Sequence, residues 1–173
     1  MPGPAVEATL YILDEAFEPA EPRPSNQSLL PNLLTVDEDA WSAVPPGASR
    51  SIRDIVIHVG ACKYVYDNHA FGDGSLTWDS KLVHPWAESE PHMQEVLEWV
   101  RGGQRRLRHH VEALNDEGLS VERKANWGQS YPTRWLINIV IQHDLYHAGE
   151  INHIRSLLTG DDRWAHEKEL AAT

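Results

Sequence analysis

Apolar residues recur every three or four positions through most of this chain, and that spacing is typical of amphipathic α-helices. It predicts helical stretches over residues 5–17, 28–41, 51–70, 91–114 and 132–158, the second of them interrupted near Pro31. No convincing alternation of apolar and polar residues, as in a half-buried strand, is present in the sequence. Four long amphipathic helices without a sheet predict an all-α fold, a four-helix bundle.

Turn and capping residues support these helix limits. The Pro-Pro-Gly turn at 45–47 precedes the third stretch, Ser49 or Ser51 can cap it, and the glycine-rich segment 71–74 ends it. The loops 17–28 and 71–90 are long for a bundle in simple up-down order, so a crossover connection is expected. The chain of 173 residues has the length of one domain, and we expect all of it to form a single one.

Composition and charge narrow the possible partners and compartment. Lys and Arg number 15 against 26 Asp and Glu, a formal charge of −11, whereas a nucleic-acid binder needs a basic face to neutralise phosphates. No stretch contains the roughly 18 to 20 unbroken apolar residues of a membrane span. We therefore expect neither a nucleic-acid nor a membrane partner. Because Cys62 is the one cysteine and no signal peptide is recognisable, we expect a cytoplasmic protein.

The last helix places two histidines in the middle of its apolar stripe. Successive helical residues are turned by about 100°, so relative to His143 the side chain of His147 lies at about +40° and that of Glu150 at about −20°. The apolar residues within about 80° of this direction are Leu136, Ile139, Val140, Ile151, Ile154, Leu157 and Leu158. An inward polar group without a partner costs about 1–3 kcal/mol, so these three side chains need partners inside the bundle.

A third inward histidine lies on another helix. His58 shares its helix face with Ile55, Ala61, Cys62 and Val65. A single inward histidine is usually an ordinary core residue, but an i, i+4 pair centred on an apolar face favours a metal site. Two such imidazoles can bind one ion, and a third from a facing helix completes a set of nitrogen ligands with a coordination position left open. Zinc or nickel suits this set best, with iron, manganese and copper as alternatives.

The sequence therefore predicts one divalent metal ion bound by His58, His143 and His147. Cys62, four residues after His58, leaves open a closed site with three histidines and one cysteine, although a buried cysteine that only packs is the simpler interpretation.

Two known metal-binding patterns fit less well. The segment 143–147, His-Asp-Leu-Tyr-His, has the spacing of the zinc peptidase motif His-Glu-x-x-His, and His153 lies where its extended form has a third histidine. That third ligand requires a glycine three residues after the second histidine to break the helix, but position 150 is Glu. A di-iron carboxylate bundle needs two Glu-x-x-His motifs, and only 150–153 fits.

The segments 51–60, SIRDIVIHVG, and 143–151, HDLYHAGEI, together with the turns at 45–47 and 71–74, resemble the DinB/YfiT-like superfamily of metal-binding bundles. The resemblance extends over nearly the whole chain. It implies a four-helix bundle with up-down-down-up connectivity, often a homodimer, that binds nickel or zinc. It places His58, His143 and His147 at the ligand positions and does not include Cys62 among them.

Characterised members of that superfamily include thiol S-transferases that use bacillithiol or mycothiol, maleylpyruvate isomerase and glutathione-dependent enzymes, and many members have no known activity. Membership alone does not define the chemistry. Two function classes therefore stay open. One is a metal-dependent thiol S-transferase or hydrolase acting on a small-molecule substrate, with a low-molecular-weight thiol as co-substrate of the transferase. The other is a non-catalytic metal- or ligand-binding stress-response protein.

Two residues near the histidines are candidates for catalytic roles. Glu150, one turn from His147, is expected to orient a ligand imidazole or to serve as a base, or else to make a structural bond. Tyr146 is a candidate hydrogen-bond donor to substrate, or a packing residue. On the opposite face of this helix a second apolar stripe predicts either a homodimer surface or contact with a packed loop; it comprises Ile137, Ile141, Leu145 and Ala148.

Overall fold

The computed structural model describes residues 2–20, 27–86 and 89–163. The α-helices in these ranges are α1 (Pro4–Phe17), α2 (Glu38–Ser42), α3 (Ile52–Phe71), α4 (Met93–Glu112) and α5 (Thr133–Thr159). The strands are β1 (Glu122–Lys124) and β2 (Ser130–Pro132), and 3-10 turns cover Pro31–Leu33 and Asp116–Ser120. The prediction of an all-α bundle of four long helices is confirmed. Residues 21–26 and 87–88 of the two long loops lie outside the described residues.

Contacts between side chains fix the directions of the four long helices. Along α3 and α4 the contacts advance together, so these helices are parallel, whereas α5 runs antiparallel to α3, and α1 antiparallel to α4. The contacts are Lys63–Gln104 and Asp67–His110 for α3 with α4, Lys63–Asp144 and, just before α3, Arg50–Glu150 for α3 with α5, and Asp14–Arg108 and, just after α1, Glu18–Arg101 for α1 with α4. The order is up-down-down-up, as the resemblance implies.

Local sequence explains where α3 begins and where α5 ends. The Ser51 side chain accepts from the backbone N–H of Asp54, and the Asp54 carboxylate accepts from the backbone N–H of Ser51, so a capping box satisfies two backbone donors at the start of α3. At the end of α5, Gly160 adopts φ +68, a left-handed conformation that glycine adopts without steric cost. Both limits agree with the predicted helices to within a few residues.

Two short segments differ from the predictions. The stretch 28–41 is interrupted near Pro31, as predicted, but it is helical only in part: it forms the 3-10 turn at Pro31–Leu33 and the five-residue α2, which Asp37 caps. Strands β1 and β2 form an antiparallel hairpin, although the sequence predicted no strand. Each strand has only three residues, too few for an alternating pattern to be recognisable in the sequence.

The second apolar stripe of α5 packs mostly inside the molecule. Ile137 and Ile141 are buried in a cluster that also contains Val6, Leu10 and Leu13 of α1. Leu145, by contrast, is exposed. The stripe therefore packs against α1 and, through Leu119, against the loop that follows α4, so the predicted contact with a packed loop is found in part. The homodimer stays a prediction. In the described part of the chain no helix has the length and apolar character needed to cross a membrane.

A buried ion pair joins α3 to α5 in the interior. Lys63 Nζ donates to Asp144 Oδ2 at 2.6 Å and to Gln104 Oε1 at 2.9 Å. The Lys63 and Asp144 side chains are only 1% and 0% exposed. Burial lowers the pKa of Lys63 and raises that of Asp144, while the attraction between them opposes both shifts. Because each charge depends on the other, the pair fixes how α3 and α5 lie against each other.

Replacing Lys63 should therefore be costly. Lys63→Met is expected to lower the free energy of unfolding by about 3–5 kcal/mol, because it leaves the Asp144 carboxylate buried without a cation. The double variant Lys63→Met, Asp144→Leu should lose less, since no buried charge remains. Urea denaturation followed by circular dichroism measures both losses.

The control for this prediction is an exposed ion pair. Arg105 and Glu98 have side chains that are 62% and 65% exposed. Arg105→Ala should change the free energy of unfolding by less than about 1 kcal/mol. Equal losses in Lys63→Met and Arg105→Ala would contradict the role given to the buried pair.

Candidate metal centre

Three histidine side chains from two helices meet between α3 and α5. His143 Nε2 lies 3.2 Å from Nε2 of His58 and 3.1 Å from Nε2 of His147. The i, i+4 spacing puts His143 and His147 on one face of α5, and α3 presents His58 to that face. One possible ligand atom from each residue lies within 4.8 Å of those of the other two. The structure thus brings together all three histidines predicted as ligands.

The spacing of these nitrogens fits a single ion. Zinc–nitrogen bonds are about 2.0–2.1 Å long, so two nitrogens bound to one zinc are about 3.3 Å apart in tetrahedral geometry and about 2.9 Å apart at right angles. The observed separations of 3.1 and 3.2 Å lie between these values. Three imidazole nitrogens are also a donor set that zinc and nickel accept well. The residues present therefore fit the metal that the sequence predicts.

A carboxylate outside the trio orients one of the imidazoles. His147 Nδ1 donates to Glu150 Oε2 at 2.7 Å, and Glu150 Oε1 accepts from Arg50 Nη2 at 2.6 Å. A carboxylate can only accept, so the proton of a neutral His147 sits on Nδ1 and the lone pair of Nε2 points at His143. This arrangement of imidazole and carboxylate is the one that commonly supports histidine ligands of metals.

The environment keeps the three imidazoles neutral. Burial is the largest cause, and it lowers the pKa of all three histidines, His58, His143 and His147. The pKa of His143 falls to about 3, because the charges of His147 and His58 add to the effect of its burial. For His147, the bond to Glu150 opposes the effect of burial. A metal ligand must be an unprotonated imidazole, and these side chains are in that form at neutral pH.

The candidate catalytic residues take different positions. Glu150 is partly buried and has partners on both oxygens. Tyr146 is 70% exposed, and its ring meets that of His147 edge-on with 5.0 Å between centres. His147 is almost fully buried, whereas His58 and His143 are only partly so. The centre is therefore partly open to solvent on the side of His58 and His143, and Tyr146 lies at its edge.

Cys62 packs beside His58 without joining the trio. Its Sγ lies 3.7 Å from His58 Nε2 and 3.9 Å from Nδ1. An atom on the lone-pair axis of Nε2 would be much nearer to Nε2 than to Nδ1, so the sulfur is off that axis. Burial raises the pKa of the thiol to about 11, and a hydrogen bond from Tyr66 opposes that shift. The position is that of a packing cysteine.

The structure also separates the residues of the peptidase-like pattern. Helix α5 continues unbroken through His153, whose side chain is exposed away from the trio. Asp144, at the position where the peptidase motif has its general base, is bonded to Lys63 in the interior. Neither residue is available to the centre, in agreement with the prediction that this motif does not apply.

Sequence reasoning missed Lys63 and Arg50 as partners of this region. Lys63 had a detectable signal, because it lies in the apolar run Val59–Val65 of a helix that is buried on most sides. Arg50 had none, since it stands just before the capping residue Ser51 and reaches Glu150 only through the fold.

Cys62 should react slowly while the protein is folded. Near pH 8 a thiol with a pKa of about 11 is ionised to about one part in a thousand, and burial slows the approach of a reagent further. Reaction with Ellman's reagent is expected to be at least about 100-fold slower in the native protein than in urea, where the same thiol is exposed. Comparable rates in the two conditions would show that the thiol is accessible or ionised.

Comparison with known proteins identifies a family. No curated protein matches the chain. The family model of the DinB superfamily matches residues 25–151, well over half of the chain, and this range contains His58, His143 and His147. The chain belongs to the DinB superfamily.

Proposed function

We propose that this protein binds one divalent metal ion, zinc or nickel, on His58, His143 and His147 and acts as a metal-dependent thiol S-transferase or hydrolase on a small molecule. The observation that carries the proposal is the position of His143 Nε2, which lies 3.1 Å from Nε2 of His147 and 3.2 Å from Nε2 of His58. Three protein ligands leave a coordination position for a reactant. The ion supplies Lewis-acid activation of a thiol or a water molecule.

The chain's own residues prepare that position. Arg50 holds Glu150, Glu150 holds the Nδ1–H of His147, and His147 is thereby fixed in tautomer and orientation before any reactant arrives. Both Glu150 oxygens have partners, which favours a positioning role over that of a general base. Tyr146, on the rim, is proposed to hydrogen-bond a substrate or the low-molecular-weight thiol as it enters.

The metal proposal is tested by metal analysis of purified protein. We expect about one equivalent of zinc or nickel in the wild type and little in His147→Ala, because two imidazoles bind an ion much more weakly than three. His153→Ala is the matched control, since His153 is on the same helix but exposed and outside the trio. Negligible metal in both the wild type and His147→Ala would overturn the proposal.

The enzymatic part is tested by turnover with the metal-loaded protein. Glutathione, bacillithiol and mycothiol are each offered with monochlorobimane, and a chromogenic ester is offered without thiol. Thiol-dependent conjugation would identify a transferase, and thiol-independent cleavage a hydrolase. Metal bound without turnover of any of these would favour the alternative class, a non-catalytic metal- or ligand-binding protein.

Glu150→Gln separates positioning from base catalysis in the same assay. The amide oxygen still accepts from His147, so the variant should lose about 10–100-fold in metal affinity while turnover per bound ion stays within a few-fold of wild type. If Glu150 were the base, turnover at full metal occupancy would fall by about 100-fold or more.

A further inference from the structure

Arg50 places a positive charge at the edge of the histidine trio. Its Nη2 donates to Glu150 Oε1 at 2.6 Å, and Oε2 of the same carboxylate accepts from His147 Nδ1 at 2.7 Å. Even if fully extended, this route through one carboxylate and one imidazole ring keeps the guanidinium within about 12 Å of an ion bound by His147 Nε2. Arg50 therefore belongs to the surroundings of the metal centre.

The guanidinium of Arg50 is accessible from solvent. Its side chain is 40% exposed. Arginine carries five N–H donors, and Glu150 takes one of them. Nε and Nη1 have no hydrogen-bond partner among the described residues, and neither atom is fully buried. Because Glu150 already holds one end of the side chain, an arriving acceptor meets a cation whose position is largely fixed, and less freedom is lost on binding.

Lys63 and Arg50 are the cations of the described chain whose charges act on the trio. Burial and the neighbouring histidines lower the pKa of His143 most, and the charges of Lys63 and Arg50 add to that effect. The Lys63 side chain is only 1% exposed and is paired with Asp144, so a ligand does not reach it. Of these two cations, Arg50 is the one that can contact a ligand.

The charges around an occupied centre favour an anionic reactant. A divalent ion adds two positive charges to three neutral imidazoles, while Glu150 and Arg50 cancel each other. A thiolate reactant neutralises one of these charges, and a carboxylate on the same molecule balances the other. A carboxylate that accepts from a guanidinium makes a charge-assisted hydrogen bond, which is stronger than a bond between neutral groups.

We propose that Arg50 binds a carboxylate of the reactant that enters the metal centre, so that this reactant is an anionic small molecule, such as a thiol that bears a carboxylate. The carboxylate accepts from the donors that Glu150 leaves free, Nε–H or the N–H groups of Nη1. Arg50 thus serves both the ligand imidazole, through Glu150, and the reactant. The link to a reactant rests on the proposed function, whereas carboxylate binding by Arg50 does not require a metal ion.

The Nε–H resonance of Arg50 in proton–nitrogen NMR spectra reports carboxylate binding directly. It is assigned by its loss in Arg50→Gln. We expect hexanoate to shift this resonance in metal-free and in metal-loaded protein, and hexanol to leave it unchanged. Arg53 is the internal control: its Nη1 is paired with Glu90 at 3.2 Å, and its Nε–H should respond less to hexanoate. An Arg50 resonance that hexanoate does not move in either sample would overturn the proposal.

A matched pair of thiols connects Arg50 to the metal centre. Mercaptohexanoate and mercaptohexanol have the same chain with the thiol at one end, and only the first carries a carboxylate. In cobalt-loaded protein the thiolate-to-cobalt absorption band gives the dissociation constant of each. We expect the wild type to bind mercaptohexanoate about five- to tenfold more tightly at low ionic strength, less than a fully buried charged bond gives, because Arg50 is partly exposed. Equal binding would overturn the link to the reactant.

Variants at full cobalt occupancy separate carboxylate binding from support of the site. Arg50→Gln should bind both thiols equally, whereas Arg50→Lys keeps the cation and should retain part of the preference. Arg53→Gln removes a charge from the same end of α3 and should leave the preference unchanged. Circular dichroism verifies that each variant is folded. If Arg50 only held Glu150, Arg50→Gln would weaken both thiols by one factor and keep their ratio, which would overturn the proposal.

Metal analysis of the same samples separates the failure of this proposal from the failure of the previous one. A protein that binds no metal, but whose Arg50 resonance shifts with hexanoate, would refute the metal centre and its reactant and keep the carboxylate site. A protein that binds metal, but has equal affinities for the two thiols, would keep the metal centre and refute the role of Arg50 toward its reactant.

Discussion

Polar groups in the middle of the α3–α5 interface are the constraint on which the structure depends. A bundle interior penalises every polar group that lacks a partner, and a charge most of all. The Lys63–Asp144 pair satisfies its own charges, with Gln104 as a further acceptor. The histidine trio is different, because its three Nε2 atoms face one another, with separations of 3.2 Å from His143 to His58 and 3.1 Å from His143 to His147. The first group neutralises its charges within the protein, and the second is suited to receive an ion.

Neighbouring residues on α5 therefore have opposite roles. Asp144 follows His143 in the chain, but the helix turns its side chain by about 100°, toward Lys63 and away from His58. That rotation explains why residues 143–147 have the spacing of a zinc peptidase motif but lack its general base beside the histidines. The motif needs an acidic side chain beside the ion, and here the carboxylate near the trio is Glu150, which reaches His147 from one turn further along.

The sequence was sufficient for features that depend on local periodicity. The four long helices and the shared direction of His58, His143 and His147 follow from spacing, because a helix converts spacing into a face. The differences have another cause. The interruption near Pro31 was expected, but the helical periodicity of 28–41 gives only a 3-10 turn and the five-residue α2. Arg50 contacts Glu150 and Lys63 contacts Asp144 across sequence separations of 100 and 81 residues. The periodicity of a sequence does not predict which residues pair over such separations.

The connectivity explains why the site has a rigid part and a variable part. Parallel α3 and α4 require a connection that travels the length of the bundle, and it leaves α3 at Phe71, the end at which antiparallel α5 begins. Trp78 lies on that connection, and the hairpin with Trp127 enters α5 at the same end. The histidines thus stand on helices held by the buried ion pair, while Trp78 and Trp127 come from connecting segments. Connections tolerate sequence change better than packed helices, so the aromatic surroundings of His143 can vary while the geometry of the trio is kept.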